Sequence, residues 1–305
     1  MTTPPALLIA GHGTRDEAGA AAFRDFVREL GRRHPGLPVS GGFIELSPPP
    51  LGDAVAELVE RGVRRFAAVP LMLVSAGHAK GDIPAALSRE KERHPGISYT
   101  YGRPLGPHPA LLRVLERRLA EAVDPSWDPA EVTVLLVGRG STDPDANAEV
   151  SKAARLLWEG RGYEAVETAF VSLAKPDVLG GLDRCARLGA RRVVVLPYFL
   201  FTGILPDRVR RQTEEWAAAH PETEVRSADV IGPEPELLDL VWERYEEAVG
   251  GDLRMNCDSC VYRIALPGFE DKVGLPQQPH FHPDDDGHHH HGHHHGHGHA
   301  PSHAH

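Results

Sequence analysis

The sequence predicts an α/β protein made of two duplicated parallel-sheet lobes, followed by a histidine-rich C-terminal segment. Three observations predict it. The stretch LLIAGHGTRD (Leu7–Asp16) returns as LLVGRGSTD (Leu135–Asp143). Short apolar runs alternate with amphipathic helical patterns in each half, the signature of a parallel sheet with helices on both faces. After Gly251 the composition shifts to glycine, proline, aspartate and histidine.

The repeat continues in register. GGFIELSPPP (Gly41–Pro50) matches TAFVSLAKPD (Thr168–Asp177), and RRFAAVPLMLVSAG (Arg64–Gly77) matches RRVVVLPYFLFTG (Arg191–Gly203). ERHPGISY (Glu92–Tyr99) and GRPLGPHPALL (Gly102–Leu112) find their partners at Ala218–Val225 and Ala228–Leu238. The offset is about 127 residues and slips by one after Ala76, and so long an ordered series of matches argues for duplication.

Each half reads as four strand–helix units. The strands of the first half are expected near Leu7–Ala10, Val39–Glu45, Phe66–Val74 and Ile97–Tyr101, short and apolar as buried parallel strands are. Phe23, Phe26, Val27 and Leu30 repeat at helical spacing, as do Leu51, Val55, Leu58 and Val59. The boundaries expected are 1–123 for the first lobe, 124–131 (DPSWDPAE) for a linker, and 132–250 for the second lobe. Residues 251–279 then carry a Cys-x-x-Cys, and 280–305 form the histidine-rich tail.

Composition removes several function classes. A formal charge of −10 argues against a nucleic-acid binder. No apolar run approaches the ~18 residues of a membrane span. The N-terminus lacks the basic and apolar regions of a signal peptide, and three cysteines make no disulfide framework, so a cytoplasmic setting is expected. No phosphate-binding G-x-x-x-x-G-K-[ST] occurs, so no nucleotide is expected.

A duplicated chain is its own control: residues held by both copies serve the fold, and residues held by one are candidates for chemistry. His12 faces Arg139, Glu45 faces Ser172, and His78 faces Ile204 or Leu205. All three fall at or just after strand ends on one side of the first sheet, where ligands of such sheets bind. Two imidazoles and a carboxylate there can hold a divalent metal or move protons. His34, His94 and His220 instead precede proline after a helix, where a histidine suits the dipole and proline stops the helix. His108 precedes Pro109 at a helix start and is matched by Glu234. Cys185 reads as a buried helix residue.

LLIAGHGTRDEAG, FIELSPP and VPLMLVSAGHAKGDIP resemble the sirohydrochlorin chelatases of the class II tetrapyrrole chelatase family. The resemblance covers about residues 6–249 and implies two similar lobes around a cleft. It implies insertion of a divalent metal, Co²⁺ or Fe²⁺, into sirohydrochlorin without ATP, on the route to cobalamin or sirohaem. His12 and His78 would bind the metal, and Glu45 would assist delivery or proton removal. Arg139, on the lobe without the histidines, would grip a macrocycle carboxylate or form a structural ion pair.

Thirteen of the 19 histidines lie after Pro279, among aspartates and glycines. Such a composition buries little, so disorder is expected, and it would bind Co²⁺, Ni²⁺ or Zn²⁺. MNCDSC (Met255–Cys260) resembles an M-x-C-x-x-C that some long cobaltochelatases carry beside a histidine-rich region, linked to an iron–sulfur centre. Cys257 and Cys260 alone would leave a cluster short of ligands, which a homodimer could supply. A zinc pair or plain dithiol fits as well. The tail and the cysteines favour cobalt over iron. A cobalt or nickel storage protein or metallochaperone is the alternative function; it explains the tail but not the one-sided His12, Glu45 and His78.

Overall fold

The computed structural model describes residues 3–251 and 270–275. Cys257, Cys260 and the tail 280–305 lie outside the described residues. In the first half, β1 (Ala6–Gly11), α1 (Glu17–Arg33), β2 (Val39–Phe43), α2 (Leu51–Glu60) and β3 (Arg65–Pro70) are followed by α3 (Ile83–Arg93), β4 (Ser98–Tyr101) and α4 (Pro109–Ala122). The second half repeats the order with β5 (Val132–Gly138), α5 (Pro144–Trp158), β6 (Ala165–Phe170), α6 (Val178–Arg187), β7 (Arg192–Pro197), α7 (Ile204–Ala219), β8 (Glu224–Ser227) and α8 (Pro235–Gly250). Each half forms a four-stranded parallel sheet, ordered β2-β1-β3-β4 and β6-β5-β7-β8.

The apolar periodicities bury the faces they imply. Phe23, Phe26 and Leu30 of α1 and Leu51, Val55 and Leu58 of α2 are buried on opposite sides of β1, whose six residues are all buried. Two strands are shorter than the sequence suggests. β2 stops at Phe43 and β3 at Pro70, because the segments carrying Glu45 and Val74 leave the sheet to build loops. His34, His94 and His220 are the C-caps of α1, α3 and α7, and Cys185 is fully buried in α6.

One packing feature is invisible in the repeat. The last helix of each half covers the sheet of the other: α4 packs on β7, and α8 packs on β3 and β4. Arg244 of α8 is 1% exposed. It donates hydrogen bonds to the carbonyl oxygens of Pro104 (3.3 Å) and Leu105 (2.9 Å) and pairs with Glu247. Tyr245 donates to the Pro5 carbonyl at 2.6 Å. From the other direction Arg117 and Arg118 of α4 pair with Glu234 and Glu236 at the start of α8. One apolar cluster therefore runs from Leu7, Ile9 and Phe26 through Leu115 to Leu136, Leu196 and Val241. The exchange locks the lobes together and places the carboxyl ends of β1 and β5 on a shared cleft.

Candidate metal-delivery site

The site begins where β1 ends. Gly13 has φ 107°, a conformation that favours glycine, and a Cβ there would sit 1.8 Å from the Glu45 carbonyl oxygen. This close approach lets the Glu45 amide donate to the His12 carbonyl at 3.2 Å. Gly140 and Ser172 repeat the arrangement, with Ser172 N–H donating to the Arg139 carbonyl at 3.0 Å. The glycine turn is thus architecture common to both lobes, and what it displays differs: His12 and Glu45 in one, Arg139 and Ser172 in the other.

His78 arrives by a different device. After β3 the chain loops out and enters α3 through a π-helical turn, His78–Asp82. Such a turn is what one residue inserted into an α-helix produces, and it recurs at functional sites. The first half is longer than the second by one residue in this stretch, since His94 matches His220 one short of the 127-residue offset. In the second lobe α7 begins without a π turn. The slip in the repeat is therefore the structural feature that aims His78.

The three candidates converge. Ligand atoms of His12, Glu45 and His78 all lie within 4.8 Å of one another. His12 Nε2 is 3.5 Å from Glu45 Oε1, and the two imidazole rings meet edge to face with centroids 4.2 Å apart. Two ligands on a tetrahedral ion at bonds of about 2.1 Å stand about 3.4 Å apart, so small side-chain movements bring the trio to coordinating geometry. Glu45 is the most exposed of the three at 46%, against 21% and 13% for His12 and His78.

Asp82 completes the set, and the sequence reading missed it. Its Oδ2 lies 2.5 Å from His78 Nδ1, one π turn away. A carboxylate on one ring nitrogen fixes the tautomer that leaves the other nitrogen basic, the usual arrangement behind a metal-binding histidine. The signal was present as the i, i+4 spacing of His78 and Asp82. His108, by contrast, caps α4, its side chain accepting from Ala110 N–H at 3.2 Å.

His12 and His78 line a cleft of about 330 Å³ between the lobes, and Glu45 stands beside His12. Its walls are largely apolar, with Phe43, Leu46 and Leu71 from one lobe and Phe199, Phe201 and Ile204 from the other. Arg139 lies on the wall opposite His12 in the repeat. Tyr198 stands where the first lobe has Leu71; it is 3% exposed and lines the cleft. Burial raises the pKa of its hydroxyl, with the charge of Glu149 adding to the effect.

A family model described as CbiX matches this chain twice, over residues 6–122 and 133–248. The chain belongs to the CbiX family. The two matches fall on the two lobes. Among curated relatives, a sirohydrochlorin cobaltochelatase of Priestia megaterium is 39% identical over 264 residues, covering 85% of each chain. A sirohydrochlorin ferrochelatase of the same organism is 36% identical over 69% of this chain and 78% of its own. Among solved structures, SirB from Bacillus subtilis with Fe³⁺ superposes with a TM-score of 0.70 at 28% identity, over 82% of this chain and 97% of that one. Among the described residues no helix is long and apolar enough to cross a membrane.

Proposed function

We propose that this protein is a lyase that inserts a divalent metal, cobalt in preference to iron, into sirohydrochlorin without a nucleotide. The observation that carries the reading is the one-sided donor set. His12 and His78, with Glu45 beside them, stand on one side of an apolar cleft, and Arg139 lines it from the other lobe. The named relatives act on this macrocycle, one with cobalt and one with iron. A planar tetrapyrrole fits between two walls of which one offers a metal and the other a cation for its carboxylates.

The reaction exchanges one M²⁺ for two pyrrole protons and involves no redox step. His12 and His78 hold the incoming ion as neutral imidazoles, with Asp82 orienting His78. Glu45, half in solvent and beside His12, accepts one proton and passes it to water. As the ion leaves for the macrocycle nitrogens, the imidazole it frees becomes a base for the second proton. Ligand loss and base gain are then one event. Sirohydrochlorin absorbance followed after Co²⁺ addition tests this. Metal insertion by the wild-type protein is expected, and its absence at every metal concentration returns the storage alternative.

A further inference from the structure

The segment that carries His78 is gripped at both ends by the other lobe. Three residues before it, the Ser75 amide donates to Glu149 Oε2 at 2.7 Å. Two residues after it, Lys80 Nζ donates to Asp143 Oδ2 at 2.7 Å and Asp145 Oδ2 at 3.0 Å. These groups are deeply placed: the side chains of Lys80, Asp143 and Asp145 are 9%, 5% and 3% exposed. Burial alone lowers a lysine pKa, yet the hydrogen bonds and charges of the two aspartates outweigh it, and the Lys80 pKa is raised.

The repeat shows which of these groups the fold needs. Asp143 is the N-cap of α5 and matches Asp16, the N-cap of α1, so its place in the helix start is common to both lobes. Asp145 and Glu149 match Ala18 and Ala22, and Lys80 falls against Pro206 or Asp207. A lobe of this design thus folds without them. Only the lobe facing the His78 loop carries the two acids, and only that loop carries the lysine. Burying such charges costs several kcal/mol of desolvation each, which the lobe with alanines avoids.

We propose that Lys80, Asp145 and Glu149 are positioning residues that hold the His78 turn against the second lobe, so that the metal-binding geometry depends on the lobes being closed together. The inference rests on His78 being a metal ligand, as proposed above. The ligand trio draws two members from the rigid end of β1 and its neighbouring loop, and the third from a turn with a one-residue bulge. The cross-lobe grip is what fixes that third member. Without it His78 and Asp82 keep each other but lose their register against His12 and Glu45.

The test uses full-length protein with free Co²⁺ set by a metal buffer, so that the histidine-rich segment does not set the free concentration. Chelation rates are measured against Co²⁺ and against sirohydrochlorin for Lys80→Met/Asp145→Ala/Glu149→Ala, for Lys80→Arg, for Asp145→Asn and for His78→Ala. The triple variant removes all the charges it would otherwise strand except that of Asp143, which retains its capping role. Expected is a rise of tenfold or more in half-saturating Co²⁺ with less than a threefold change in sirohydrochlorin KM, a smaller rise in Asp145→Asn, and near-normal values in Lys80→Arg. Should the triple variant fail to fold by circular dichroism, the rise in half-saturating Co²⁺ in Asp145→Asn decides the matter. Unchanged half-saturating Co²⁺ in the folded variants, with His78→Ala impaired, overturns the positioning role alone. An unimpaired His78→Ala overturns the metal-site reading beneath it.

Discussion

His78 Nδ1 and Asp82 Oδ2 lie 2.5 Å apart across the π turn that leads into α3, a turn that the matching start of α7 lacks. The contact fixes the orientation of the imidazole that faces His12. Replacing Asp82 by Asn keeps an acceptor but removes the charge. Loss of such a partner behind a metal-binding histidine costs about 10–100-fold in metal affinity. Half-saturating Co²⁺ for chelation should rise by that factor, and an unchanged value would show that Asp82 does not tune His78.

Arg139 should act on the macrocycle and not on the ion. Arg139→Ala is expected to raise the KM for sirohydrochlorin by roughly ten- to a hundredfold, the size of one charge-assisted hydrogen bond. Half-saturating Co²⁺ should stay put. If the sirohydrochlorin KM does not move while the melting temperature falls, Arg139 belongs to a structural ion pair.

Glu149 makes stability depend on pH. Burial, with the Asp145 charge adding to it, pushes its carboxyl above the ordinary value despite the Ser75 hydrogen bond. A raised carboxyl pKa in the folded state gives stability that is present below the unfolded value, about 4.3, and lost as pH rises through the folded value. The melting temperature of Glu149→Gln relative to wild type should therefore increase as pH climbs out of the carboxylate range. Thermal melts from acid to neutral pH measure this, and a pH-independent difference contradicts it.

Arg244 ties the exchanged helix α8 to the first sheet through the Pro104 and Leu105 carbonyls. Arg244→Met strands those acceptors and part of a buried ion pair, a loss of roughly 3 kcal/mol. Guanidinium denaturation should show one cooperative transition at a lower midpoint. Two separated transitions would mean that the lobes unfold independently despite the exchange.

How much of this was legible in the sequence follows from what repeats and what does not. The duplication exposed His12, Glu45 and His78 because their partners, Arg139, Ser172 and Ile204 or Leu205, differ in kind. Periodicity placed Phe23, Phe26 and Leu30 on a buried face because apolar spacing is a local property. The helix exchange was hidden because α4 and α8 present the same apolar pattern whichever sheet they cover. Lys80, Asp145 and Glu149 were hidden because charged residues in helices read as solvated, and only the three-dimensional approach of two lobes buries them. The slip after Ala76 was visible as a gap, but its meaning, a π turn that aims His78, required the backbone.

The central claim is that His12 and His78 deliver the metal. The most direct measurement is the rate of Co²⁺ insertion into sirohydrochlorin by wild type, His12→Ala and His78→Ala at fixed free metal, with circular dichroism confirming the fold. His12 sits in the loop after β1 and His78 opens the π turn before α3, and both line the cleft, so substitution disturbs little core packing. The account predicts native spectra and insertion slowed by at least about a hundredfold in each variant, the usual scale for a lost positioned base or ligand. Near-wild-type insertion by both folded variants would contradict it.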